Sequence, residues 1–166
     1  MKPGSSPPDR ALPIALTMGE PAGIGGEIAL MAWRRHDQIP AFVLLDDPKR
    51  LRAVAANLGV QVPVEAVDTP EEAADIYHSA LPVLTVPVPC QVKPGQPQPA
   101  TAGAVIESID RAVALTRAGR CRAVVTNPYG PTYSNSANLI TGDAPSFTGN
   151  LPADHTGLED GNYTMA

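Results

Sequence analysis

Two short stretches of this chain combine residue types that can hold a ligand with positions a ligand can reach. The first is Thr17–Glu27, TMGEPAGIGGE, lying between a short apolar run and an amphipathic stretch. Glycines let a backbone approach a bound group closely, and the free N–H groups of a helix starting after them favour an anion. The spacing matches neither the P-loop nor the GxGxxG dinucleotide fingerprint. A tight strand-to-helix turn therefore reads the segment equally well, with Glu20 bonding either a ligand or the turn's own amides. The second stretch is Ala123–Pro128, AVVTNP, which puts Thr126 and Asn127 where an apolar strand ends. Ligands of open α/β sheets gather at that end of parallel strands, although a strand that simply turns there has the same pattern. Histidine is scarce: His36 and His78 fall on helical patterns beside polar neighbours and read as solvated, and His155 stands in Asp154-His155-Thr156. No HxxH, HExxH or paired Cys/His spacing encodes a complete metal site locally. Cys121 abuts an apolar strand and reads as core, and with Cys90 it makes neither a disulfide framework nor a CxxC motif.

These stretches need a frame, and the hydrophobic pattern supplies one. Pro13–Met18, Ala41–Leu45, Leu81–Val86 and Arg122–Thr126 are short apolar runs that read as buried strands. Val62–Val67 alternates and carries Pro63, which predicts an edge strand. Between them lie helical patterns. One runs from Glu27 to about His36. A second carries Leu51, Val54, Ala55 and Leu58, with Asp46 or Asp47 as its cap, Pro48 near its first position and Gly59 as its stop. A short third is capped by Thr69 with Pro70 following. The longest spans Thr101–Ala118, with Val105, Ile109, Ala112, Val113 and Thr116 as its apolar stripe and Glu107–Arg111 as an exposed ion pair. Pro82, Pro87, Pro89, Pro94, Pro97 and Pro99 make the stretch before it an extended connector that excludes a central strand. Strands alternating with helices predict an α/β class, a three-layer α/β/α arrangement around a largely parallel sheet.

Composition bounds the function. The chain has 166 residues, 43% hydrophobic, with 17 acids against 12 bases. That length suits one domain or half of a two-domain enzyme. A net charge of −5 without a basic stripe argues against nucleic acid as a partner, and no apolar run approaches the ~20 residues of a membrane span. The polar, Pro-rich start lacks the apolar stretch of a secretory signal, so a cytoplasmic location is expected. The chain divides into a disordered arm over residues 1–11, an α/β body over 12–128 and a divergent, loosely ordered tail over 129–166. Valine stops at Val125 and basic residues stop at Arg122, leaving a tail rich in Gly, Asn, Ser and Thr. Such a segment offers little apolar surface to offset its ordering entropy. The break predicts that the body is cut short near Pro128.

The two ligand-type stretches, in this order, resemble the 4-hydroxythreonine-4-phosphate dehydrogenase family of vitamin B6 biosynthesis. PIALTMGEPAGIGGEIAL is similar to that family's N-terminal signature, with Gly26 in place of the usual proline. Gly95-Gln96-Pro97, Thr101-Ala102-Gly103 and AVVTNP are similar to later family segments, so the likeness covers roughly residues 12–128. It implies a fold like that of the isocitrate and isopropylmalate dehydrogenases, a homodimer, and a cleft site using NAD or NADP and a divalent metal (Zn, Mg or Co). The implied reaction oxidises a small phosphorylated hydroxy acid, 4-phosphooxy-threonine, with loss of carbon dioxide. Carried over by residue, the resemblance places Thr126, Asn127 and Pro128 at the lip of the substrate cleft. It places Thr17, Gly19, Glu20, Gly23 and Gly25 in the signature turn, as candidates for contacting phosphate or cofactor. After Pro128 the family has a lysine-ended segment where this chain reads Tyr129-Gly130-Pro131. The family's metal histidine is met by Asn150 in one weak echo and by His155 in another, which leaves His155 as the candidate metal ligand. No catalytic residue is assigned. Two alternatives accompany this reading: a four-carbon sugar-acid phosphate (threonate or erythronate 4-phosphate) as substrate, and a non-catalytic fragment or ligand-binding remnant.

Overall fold

A computed structural model of the chain describes residues 12–127 and the backbone of residues 139–141. Pro128 and His155, the arm over 1–11 and the rest of the tail lie outside the described residues. The elements run β1 (Ile14–Thr17), α1 (Gly25–Trp33), β2 (Phe42–Asp46), α2 (Pro48–Leu58), β3 (Val64–Val67), α3 (Pro70–Ile76), β4 (Leu81–Thr85), α4 (Ala102–Arg117), β5 (Ala123–Val125) and β6 (Leu139–Thr141). The sheet order is β3-β4-β2-β1-β5-β6, parallel throughout except for β6, which pairs antiparallel with β5.

Alternation along the strands divides the core into two layers. Ala15, Val43, Leu45, Leu84 and Val124 face α3 and α4, meeting Ala73, Val105 and Ala112. Phe42, Leu44, Leu81 and Val83 face the other way, toward Leu30 and Trp33 of α1 and Leu51 and Ala55 of α2. Every residue of β2 is buried, as a strand covered on both faces requires. The expected three-layer α/β/α class is the fold observed.

Local chemistry sets the element ends. Asp47 caps α2, its Oδ1 accepting from the N–H groups of Lys49 (2.8 Å) and Arg50 (3.3 Å), with Pro48 at the first position. Gly59 closes that helix at φ 65°, a left-handed conformation natural to glycine. Thr69 caps α3 through Glu72 N–H at 3.2 Å.

Two expectations are corrected. Pro82 lies inside β4, which is flanked on both sides by β3 and β2, so the extended connector begins only after Val86. The missing donor does no harm there. Leu81 N–H points to Pro63 of the β3 side, so position 82 faces β2, and the β2–β4 ladder begins one residue later, at Leu44–Val83. The second correction concerns α4, whose buried face is Ala104, Val105, Ser108, Ala112 and Thr116, with Ile109 turned to solvent alongside Ile106. A buried hydroxyl at position 108 outweighs the greater hydrophobicity of Ile109, because it meets two backbone groups at the strand ends.

Among the described residues no helix is long and apolar enough to cross a membrane. The orientation of α4 gives a direct test by urea unfolding. Val105→Ala should lower stability by roughly 1–3 kcal/mol, whereas Ile106→Ala, at an exposed position, should change it by no more than about 0.5 kcal/mol.

Candidate functional site

The chain leaves β1 through α1 toward β2 on one side, and returns through α4 to β5 on the other side of β1. Strand order therefore reverses between β1 and β5, and a crevice opens at their C-terminal ends, where α/β sheets receive ligands. Both sequence candidates meet there. Asn127, just past β5, donates from Nδ2 to the Thr17 carbonyl at the end of β1 (2.8 Å), and both residues are buried. Thr126 is half-buried beside it.

The glycine turn is built for close packing. Gly19 has φ 67°, and the turn closes through Gly23 N–H to the Glu20 carbonyl at 2.9 Å. Glu20 is buried and its Oε1 accepts from the Ala22 N–H at 3.0 Å, so this carboxylate bonds the turn's own amide. A Cβ on Gly25 would stand 2.7 Å from the Met18 carbonyl and 3.1 Å from Asn127 Cβ. The first turn of α1 thus rests directly on the ends of β1 and β5. Ile24 opens the helix without a side-chain cap.

Two further struts hold this end of the sheet, and sequence reasoning missed both. Ser108 on α4 accepts from Met18 N–H (3.0 Å) and donates to the Leu45 carbonyl (2.8 Å), pinning β1 and β2 to one helix. Asp46, fully buried at the end of β2, is clasped by Arg50 through both carboxylate oxygens and receives the Asp47 N–H. Arg50 Nη1 also donates to the Pro21 carbonyl at 3.1 Å and lies over Gly26. A side chain at position 26 would displace that guanidinium. Burial pushes the Asp46 carboxyl above its ordinary range, opposed by Arg50. The signal available in the sequence was Asp46 and Arg50 at i, i+4. From the connector, Gly95 N–H reaches the Ala22 carbonyl (2.8 Å) and holds that segment on the turn.

The donor set decides what this end can hold. Glu20 and Asp46 are both engaged, and the described histidines, His36 and His78, follow the C-terminal ends of α1 and α3 at the opposite edge of the sheet. In the first turn of α1, Glu27 Oε2 is buried without a hydrogen-bond partner, but the described residues bring no set of three metal-ligand donors together at this end and so do not by themselves fit a divalent metal. Cys121 begins the approach to β5, and burial pushes its thiol up to about 11, which suits core and not a nucleophile.

Comparison with known proteins places this frame. A family model, "Pyridoxal phosphate biosynthetic protein PdxA", matches residues 38–154, well over half of the chain. The chain belongs to this family. A 4-hydroxythreonine-4-phosphate dehydrogenase of Methylorubrum populi is 50% identical over 120 residues, covering 70% of this chain and 34% of that relative. One from Xanthobacter autotrophicus is 42% identical over 118 residues, with 70% and 33% covered. The chain thus spans about a third of the length of the curated relatives it matches. Among solved structures, the 4-hydroxythreonine-4-phosphate dehydrogenase of Klebsiella pneumoniae superposes with TM-score 0.60 at 26% identity, covering 76% of this chain and 42% of that one. A terephthalate 1,2-cis-dihydrodiol dehydrogenase of Burkholderia xenovorans reaches 0.52 at 28% identity, with 69% and 33% covered.

The packing of the PdxA-type turn yields two expected outcomes. Asn127→Ala leaves the Thr17 carbonyl unpaired and should cost about 1–3 kcal/mol. Gly25→Ala should cost a similar amount through overpacking, roughly 1–3 kcal/mol. The double variant should cost less than the sum, because removing the carboxamide frees part of the space the new methyl needs. Chemical denaturation of the four proteins measures the coupling. Separately, Arg50→Met should cost about 3–5 kcal/mol near neutral pH by leaving Asp46 buried and unpaired. Because burial raises the Asp46 pKa above its ordinary 3.8, folding favours its protonated form, and that preference is lost as pH rises. The deficit of the variant should therefore be smaller in acid, where Asp46 is protonated with or without Arg50, and larger toward neutral pH, read from unfolding curves across that range.

Proposed function

We propose that the chain forms the substrate-side lip of an NAD- or NADP-dependent dehydrogenase that oxidises 4-phosphooxy-threonine, with decarboxylation, in vitamin B6 biosynthesis. The observation that carries the reading is the Asn127–Thr17 bond. It holds the end of β5 against the signature turn at the crevice, the place where an α/β sheet receives a small ligand. Thr126 is then the side chain positioned to offer a hydroxyl to a carboxylate or phosphate oxygen, while Asn127 acts through position because its amide is already bonded. Pro128, next in sequence, completes the proposed lip. Gly19, Gly23 and Gly25 serve by allowing the turn to sit this close to β5. Hydride transfer and metal binding (Zn, Mg or Co) are assigned to none of the described residues, and His155 is retained as the proposed metal ligand. A homodimer working in the cytoplasm accompanies this reading, as for the family.

The Burkholderia xenovorans structure is named for a dihydrodiol substrate, which supports keeping a second substrate beside phosphorylated threonine. A four-carbon sugar-acid phosphate, such as threonate or erythronate 4-phosphate, is therefore the alternative substrate. Binding without turnover is the second reading. The commitment of Glu20 and Asp46 to structural bonds supports it.

The test is nicotinamide reduction by the full chain with 4-phosphooxy-threonine and with erythronate 4-phosphate, alongside thermal shift with each acid. Turnover of the first, with Thr126→Val raising KM about tenfold by loss of one polar contact, is the expected result. A thermal shift abolished by Thr126→Val without nicotinamide reduction would establish the binding reading. Neither shift nor turnover would sink both.

A further inference from the structure

We propose that His36, Asp37 and His78 form a surface site for a divalent transition ion, Zn2+, at the edge of the sheet opposite the crevice. The packing that creates it is specific. Trp33, the last residue of α1, donates from its indole to the Tyr77 carbonyl at 2.8 Å, and the Tyr77 hydroxyl donates to the Pro40 carbonyl at 3.3 Å. These two bonds press the segment leaving α1 against the residues that follow α3. Histidines far apart in sequence are thereby brought to ring centroids 5.7 Å apart.

His36 is held in the state a ligand needs. Its ring stacks on Trp33 at 4.9 Å and meets Tyr77 edge-on at 6.3 Å. Its Nδ1 lies 3.0 Å from the Trp33 carbonyl. A carbonyl only accepts, so Nδ1 carries the proton of the neutral ring and Nε2 keeps its lone pair. A ligating histidine is fixed in the same way, through its second nitrogen to a backbone carbonyl. That lone pair faces Asp37 Oδ1 at 3.4 Å, and the same oxygen lies 3.8 Å from His78 Nδ1. The three donor atoms all fall within 4.8 Å of one another. In the neutral ring these are two acceptors facing one another, which a cation bound between them would join.

The dimensions suit a tetrahedral ion. Bonds of about 2.1 Å separate neighbouring ligands by roughly 3.4 Å, the separation His36 and Asp37 already have. His78 is 76% exposed and free to turn inward. Two imidazoles and a carboxylate favour zinc over magnesium or calcium, which prefer oxygen sets, and the fourth position is left to water. The site is independent of the dehydrogenase reading. It would act as a clip between the exits of α1 and α3.

The experiment is Zn2+ titration of the tag-free, chelator-treated full chain by calorimetry, with thermal unfolding in parallel. A Zn2+-binding step that persists in His155→Ala, and a raised unfolding temperature, are expected. Asp37→Ala and His78→Ala alter side chains 80% and 76% exposed, so both variants should fold. Each should weaken binding by at least about tenfold. Cys90→Ser and His155→Ala should leave it unchanged, which separates this site from any metal site in the crevice. A nitrogen-15 shift at His36 Nε2 on adding Zn2+ would identify the ligating atom. Undiminished binding in Asp37→Ala and His78→Ala, or no binding at millimolar Zn2+, would overturn the proposal.

Discussion

The arrangement of this end of the molecule depends on the absence of one side chain. With no Cβ on Gly25, the first turn of α1 can rest on the Met18 carbonyl and the Asn127 side chain. Any larger residue would lift the helix off β1 and β5. The Asn127 amide occupies the space so created and takes the Thr17 carbonyl. One steric requirement thus joins three consequences: the seat of α1, the orientation of Asn127, and the closeness of the signature turn to the end of β5. Gly26 repeats the logic on the next residue, where the Arg50 guanidinium takes the place of a side chain.

The polar groups around that contact are satisfied almost entirely by backbone. Ser108 meets an N–H of β1 and a carbonyl of β2, Arg50 meets the Pro21 carbonyl, and Gly95 meets the Ala22 carbonyl. A buried polar group left unpaired costs about 1–3 kcal/mol, so each bond restricts its partners to one geometry. The same engagement takes up two of the carboxylates at this end. Glu20 and Asp46 look like acid–base candidates by type and place, yet one caps its own turn and the other neutralises an arginine. Both position neighbouring segments.

Much of this architecture is legible in the sequence because it is local. Asp47–Pro48, Thr69–Pro70 and Gly59 announce the ends of helices through interactions within four residues, and the structure has them at those places. The α/β order follows from apolar runs alternating with helical patterns. The features that escaped are long-range. Hydrophobicity alone put Ile109 in the core, whereas α4 buries Ser108 because two strand ends converge on it. A proline looked incompatible with an interior strand until the direction of the Leu81 N–H showed that position 82 precedes the β2 ladder. His36 and His78 read as separate solvated residues. Only the Trp33–Tyr77 and Tyr77–Pro40 bonds bring them together, and no spacing rule encodes those.

The two edges of the sheet consequently differ in kind. At the C-terminal edge, Glu20, Asp46 and the Asn127 amide are held by structural bonds, while Thr126 and the unpartnered Glu27 Oε2 remain. At the N-terminal edge, the His36 tautomer is fixed by the Trp33 carbonyl, so its Nε2 lone pair is set against a carboxylate. The first edge has the character of a completed mould. The second gathers donor atoms from two segments within 4.8 Å of one another. Family membership speaks to the first edge, through the signature turn and the T-x-P strand end. The donors of the second edge come from the segments that follow α1 and α3. The two ends of one sheet thus set different problems: one seats a helix on two strand ends, and the other gathers donors from two segments that only packing brings together.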